Sequence, residues 1–250
     1  DTNKIQDGRF IFLPKYLNHF FNGIWKHDYK VKNHYMIESK SGFYFKYTVK
    51  NENYYFLSAI SHIYNTTIDL IKEKMIDTIM KDIKDIIFTS LNNGDIKSMF
   101  TTRETFIKYL QTSNYIEYDI IGELLCIPNI ITPKGIIYYI FDKKIKIIKK
   151  NLEKDEYLEN YYLQCLNIEN YQYNDMDKDI VILIKDGKYF FPIYRVKKGP
   201  KDKKIILYKH FNINDPDNEK IINELKQYYK LSCIDNFIYN INSNSNITAK

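Results

Sequence analysis

Apolar residues recur every three or four positions through the first half of the chain and gather into short unbroken runs in the second, a change of period that separates helices from strands. Ile68, Ile71, Met75, Ile79, Ile83, Ile86 and Ile87 step by three and four, which predicts one long amphipathic helix over residues 66 to 91. Thr66 reads as its N-cap, Asp69 and Glu73 lie near its positive end, and Asn92-Asn-Gly94 ends it. Ahead of it, residues 53 to 64 predict a buried helix. Phe56, Leu57, Ile60, Ile63 and Tyr64 share helical spacing there, while Ser58, Ala59 and Ser61 leave room for a neighbouring element. Residues 9 to 25 hold a further helix, with Pro14 in its first turn, an apolar face of Leu17, Phe20, Phe21 and Ile24, and Gly23 as its stop. Residues 103 to 111 and 119 to 126 predict two shorter helices, the second closed by Pro128.

Strands are expected at Gly42 to Val49, 135 to 141, 179 to 184 and 189 to 196, where β-branched and aromatic residues concentrate. Asp186-Gly187 makes a hairpin turn between the last two. Residues 205 to 208 add a strand and 219 to 230 a C-terminal helix, while residues 240 to 250 lack apolar periodicity and read as a mobile tail. Helices first and strands later indicate an α+β fold, a helical N-terminal half packed on a small, mostly antiparallel sheet. The expected organisation is a single domain over 1–212, helical over 9–126 and sheet over 135–208, followed by the helix and tail of 213–250.

Composition narrows the classes. At 250 residues and 44% hydrophobic the chain buries one sizeable core, and no apolar run approaches the ~20 residues that span a bilayer. The start of the chain shows no signal-peptide h-region. Cys126, Cys165 and Cys233 are odd in number and widely spaced, which argues against disulfides and for a reducing, cytoplasmic setting. The formal charge of +6 favours polyanions only weakly.

No specific catalytic motif stands out. A thiolate nucleophile needs a base, and none of the three cysteines shows a local signature with His19, His27, His34, His62 or His210. No Gly-x-Ser-x-Gly, phosphate-binding glycine loop or C-x-x-C occurs, so no cofactor or metal is expected. Two basic segments remain as candidates for polyanion binding. One comprises Lys143, Lys144, Lys146, Lys149 and Lys150, the other Arg195, Lys197, Lys198, Lys201, Lys203 and Lys204. Tyr138, Tyr139, Tyr194 and Tyr208 lie near them as stacking platforms for bases, although solvated, edge-protecting lysines are the simpler reading.

Several motifs, taken in order, resemble an uncharacterised family of giant, mimivirus-like nucleocytoplasmic large DNA viruses. Gly8-Arg-Phe-Ile-Phe-Leu-Pro14 is similar to the family's Gly-Arg-aromatic-x-x-Leu-Pro, and Tyr44 to Val49, Tyr55 to Ile60, Asn93 to Phe100 and Ile182 to Tyr194 follow its later motifs. Thr48 and Tyr55 depart from it, standing where the family has Gly and Ser. The order of buried helix, Leu-Leu helix, apolar strand and hairpin also resembles the OTU branch of papain-like cysteine proteases, which implies a degenerate OTU-like scaffold. In that branch a Cys opens the central helix and a His opens the last strand. Superposition puts Tyr55 or a neighbour at the first position and Tyr189 or Phe190 at the second, so both catalytic groups are absent. The resemblance implies a non-catalytic structural or interaction protein, carried in the virion as a minor capsid or core component. Its expected partners are other viral structural proteins, and its setting the host cytoplasm, in the virus factory, and the particle. The alternatives are a thiol hydrolase on a rearranged site and a nucleic-acid-binding module.

Overall fold

The computed structural model describes residues 7–23, 42–50, 55–149, 156–165, 178–199 and 204–235. In chain order its elements are β1 (Phe10–Phe12), α1 (Lys15–Asn22), β2 (Phe43–Tyr47), α2 (Tyr55–Tyr64), α3 (Ile68–Lys81), α4 (Ile86–Ser90), α5 (Asp95–Phe100), α6 (Arg103–Thr112) and α7 (Tyr118–Leu125). Then follow β3 (Ile136–Lys149), β4 (Glu156–Leu163), β5 (Asp179–Asp186), β6 (Tyr189–Lys198), β7 (Ile205–Tyr208), β8 (Phe211–Asn212) and α8 (Glu219–Tyr229). The expected tail at 240–250 lies outside the described residues.

The fold is α+β, and its sheet is mixed. The main order is β1-β2-β6-β5-β3-β4, with the short β7 and β8 pairing β6 and β5 respectively. The β3–β5 pair is parallel and every other pair is antiparallel. Strand alternation divides the sheet between two cores. Ile136, Tyr138 and Ile140 of β3 and Val181 and Leu183 of β5 face a front layer built on α2, α3, α6 and α7. Ile137, Tyr139, Phe141, Ile180, Ile182 and Ile184 face a back layer that includes Leu17 and Phe21 of α1 and Ile221, Ile222 and Leu225 of α8. Cover on both faces is why β3 and β5 begin as unbroken apolar runs. It also makes the C-terminal helix part of the core, where the sequence placed it beyond the domain boundary at 212.

Helix α2 is the buried element expected. Phe56 lies 5.1 Å from the ring of Phe190 and 5.6 Å from that of Tyr138, and Ser58 and Ala59 are buried. Helix α1 ends at Gly23, whose φ of 68° and N–H bond to the His19 carbonyl close the last turn. The Asn22 amide then docks this helix on β2, accepting from the Tyr44 N–H at 2.8 Å and donating to its carbonyl at 3.0 Å.

The long helix expected over 66–91 is broken. Thr67, rather than Thr66, caps α3 by accepting from the Leu70 N–H. After Lys81 the Asp82 carboxylate accepts from the N–H groups of Ile86 and Phe88 at 3.0 and 2.9 Å, and starts α4 in a new direction. Asp85 takes φ 53° at the corner. Ile83 and Ile86, which continued the apolar period, are therefore 87% and 63% exposed. Strand β3 runs eight residues beyond its expected end at 141, because β4, which the sequence did not reveal, pairs with that extension.

Candidate functional site

The described parts of the two basic segments do not meet. Lys143 and Lys144 continue β3 past Asp142↔Lys185, at the hairpin end of the sheet, whereas Arg195, Lys197 and Lys198 pair with β7 at the opposite end. Between them runs β5, eight residues long, or about 25 Å. Carboxylates answer the charges individually. Lys143 Nζ lies 3.1 Å from Glu159 and 3.0 Å from Asp186, Lys144 lies 2.9 Å from Asp142, and Lys197 pairs with Asp217.

Arg195 departs furthest from expectation, being 1% exposed. Its Nη1 donates to the Asp217 carbonyl at 2.6 Å, and its guanidinium lies 4.1 Å from the centre of the Tyr208 ring. Burial also pushes the neighbouring Tyr44 up to about 12, against the lowering influence of this cation. Arg195 is thus a core cation held on aromatic faces, out of reach of a surface phosphate. Lys204 is exposed and Lys198 half-buried, while Lys150, Lys201, Lys203 and the side chains of Lys146 and Lys149 lie outside the described residues. Tyr138, Tyr139 and Tyr194 are buried and cannot stack on bases.

The cysteines also depart from expectation, since Cys165 and Cys233 form a disulfide, with Cα atoms 5.4 Å apart across 68 residues of sequence. Spacing along the chain gave no sign of it, because the end of β4 and the turn after α8 meet only through the back layer. Cys126 is the cysteine outside that bridge. It caps the C-terminus of α7 and its Sγ donates to the Gly122 carbonyl at 3.4 Å. The carbonyl end of a helix disfavours a thiolate, the reverse of the setting that activates nucleophilic cysteines.

Polar groups gather where α2 ends against the turn between β7 and β8. The Tyr64 ring stacks on His210 at 5.0 Å, and His210 Nδ1 lies 3.5 Å from Asp179 Oδ2. The Asn212 amide donates to the other carboxylate oxygen at 3.1 Å. Burial works against ionisation of Asp179, but His210, Asn212 and the Lys134 charge outweigh it and hold the carboxyl below its ordinary value. Burial above all, with Asp179 and Cys126 adding to it, pushes the Tyr64 hydroxyl up, and no hydrogen-bond partner meets that hydroxyl. Beside this cluster Lys209 Nζ donates to the His62 carbonyl and to Asn65 Oδ1. Among the described residues no group of three or more His, Cys, Asp or Glu is arranged to hold a metal.

At the other end of α2 the surface is aromatic. Tyr55 opens the helix 5.0 Å from the ring of Tyr189, the first residue of β6, and 6.2 Å from that of Tyr115. Lys188 sits over this group, its Nζ 4.8 Å from the Tyr55 ring centre and 5.6 Å from that of Tyr189. Tyr115 and Tyr189 are 42% and 41% exposed. The surface escaped the sequence reading because its rings come from a helix, a strand and a loop far apart along the chain. The one available signal was the coincidence of Tyr55 and Tyr189 in the superposition.

No protein-family model matches the chain. The whole chain is similar to an uncharacterized protein of Acanthamoeba polyphaga mimivirus, 37% identical over 253 residues. It spans 16% of that relative's length. No described helix is long and apolar enough to cross a membrane. By this similarity the chain is a homologue of one stretch of a giant-virus protein.

Proposed function

We propose that the chain is a non-catalytic interaction module of a giant-virus structural protein, carried in the particle as part of a minor capsid or core component. The observation that carries this reading is the aromatic surface of Tyr55, Tyr115 and Tyr189 around Lys188. On a degenerate OTU-like scaffold this is the place of the lost Cys and His, now built of the large amphipathic rings that favour protein contacts. Other viral structural proteins are the partners such a surface fits. The Cys165–Cys233 disulfide supports the particle over the reducing cytoplasm of the virus factory as the protein's final setting, because disulfides persist in virions and are reduced in the cytosol. Quantitative mass spectrometry of purified particles tests this. The protein is expected at stoichiometric levels, and abundance in infected cells without any in particles overturns the placement. A folded Tyr55→Ala/Tyr189→Ala variant is expected to be excluded from particles, and its normal incorporation would remove the aromatic surface from the argument.

A second reading, a thiol hydrolase on a rearranged site, is favoured by one observation: Cys126 and the His210–Asp179 pair both border Tyr64. It requires Cys126 to react with an electrophilic probe at neutral pH much faster than an unfolded-chain thiol. Slow labelling ends it.

A further inference from the structure

The disulfide joins two unlike sulfurs. Cys165 lies exposed just past the end of the edge strand β4, while Cys233 is 3% exposed and packs in the back core with Leu163, Tyr139 and Tyr229. Cys233 sits in the π-helical turn Lys230–Asp235 that continues α8. Helix α8 has its own apolar anchors in Ile221, Ile222, Leu225 and Tyr229, and β4 has its own ladder to β3. Among the described side chains, the turn after α8 has only Cys233 in the back core.

We propose that Cys165–Cys233 is a redox latch, opened from the solvent side, that holds the C-terminal turn and the end of edge strand β4 to the sheet while leaving the rest of the fold to stand without it. A thiolate from a small-molecule dithiol attacks the exposed Cys165 sulfur. The S–S bond breaks and its electron pair leaves on the Cys233 sulfur, which takes up a proton. The second thiol of the reductant then displaces Cys165 from the mixed disulfide, giving two cysteine thiols and one oxidised reductant. Because the leaving sulfur is buried among apolar side chains, where a thiolate is poorly solvated, exchange is slow until the 230–235 turn opens. Opening and reduction therefore favour one another. Once reduced, the turn and the end of β4 are free to separate, and the outer edge of β4, unpaired among the described residues, is a template for joining another strand.

The test begins with thiol counting by alkylation of the unfolded full chain. One modified cysteine, Cys126, is expected before reduction and three after. Hydrogen exchange by mass spectrometry then compares the two folded states. Amides in 159–165 and 230–235 are expected to exchange about tenfold faster or more after reduction, while those of β5 and the first half of β3 stay unchanged. Cys165→Ser removes only the exposed sulfur and is expected to show the reduced pattern with no response to dithiol. Three free thiols in the unreduced protein overturn the proposal. So does exchange that is unaltered by reduction, which marks a passive staple, or exchange that rises throughout the sheet, which marks global unfolding.

Discussion

Asp82 ends one helix through its backbone N–H, which donates to the Ile79 carbonyl, and begins the next through its side chain. The carboxylate accepts from two amides of α4, and its carbonyl accepts from Arg103 Nη1 at 2.7 Å, tying the corner to α6. Asp82→Ala leaves the buried Phe88 amide without its acceptor and is expected to cost about 1–3 kcal/mol, measured as a shift in urea midpoint at constant slope. A cost within ~0.5 kcal/mol, the range of ordinary surface changes, would mean that water replaces the carboxylate. Gly135 is constrained by the backbone itself. It holds φ at +85°, and a Cβ there would sit 2.3 Å from the Cys126 carbonyl oxygen. Gly135→Ala is expected to destabilise by roughly 2 kcal/mol or more, since neither the turn before β3 nor the end of α7 can yield without moving a core strand.

At the scale of elements, α2 couples the front core to an aromatic end and a polar one, and the acid response of the polar end follows from His62. That ring stacks on Tyr47 at 4.8 Å, and burial followed by the Lys209 charge holds its pKa below the ordinary 6.5. A base whose folded value is depressed resists protonation in the native state. Its contribution is therefore complete above pH 6.5 and is lost as pH falls toward and through the folded value. His62→Gln is expected to flatten the stability profile just below pH 6.5, read from denaturant titrations at successive pH values. Asp179 acts in a separate, lower window. Its folded value is depressed, so its contribution is present above 3.8 and disappears as pH falls below that. Asp179→Asn is expected to remove that second acid limb and leave the first intact, and a common loss of both limbs would show that the two ends of the β7–β8 contact titrate as one.

For the whole molecule the decisive feature is a sheet clad on both faces, since it sets which charges can act together. Lys143 and Lys144 lie at one end and Lys197 and Lys198 at the other, with Arg195 inside. Binding that neutralises phosphates should lose about 0.7–0.9 in the slope of log affinity against log salt for each contact removed. Replacing Lys197 and Lys198 with Ser is expected to leave any such slope for single-stranded DNA nearly unchanged, as is replacing Lys143 and Lys144. A fall of three units on combining the two pairs would restore a shared basic surface.

The sequence determined on its own whatever depends on neighbours a few residues apart. Helical spacing marked the buried helix from Phe56 to Ile63, Gly23 marked the stop of α1, Asp186-Gly187 the last hairpin, and the change of period the α+β class. The motif order pointed to a giant-virus kinship that the mimivirus relative supports along the whole chain. Tertiary structure alone decided what depends on distant residues. The apolar period through Ile83 and Ile86 was real, yet capping by Asp82 and packing against α6 broke the helix across it. Arg195 looked like one more surface cation, and only β7 and β8, by bringing Tyr208 and Phe211 over it, made it a core residue. Cys165 and Cys233 became partners because the back layer brings the end of β4 to the end of α8. The aromatic surface of Tyr55, Tyr115 and Tyr189 likewise forms only when a helix, a loop and a strand meet, so no local period along the chain could announce it.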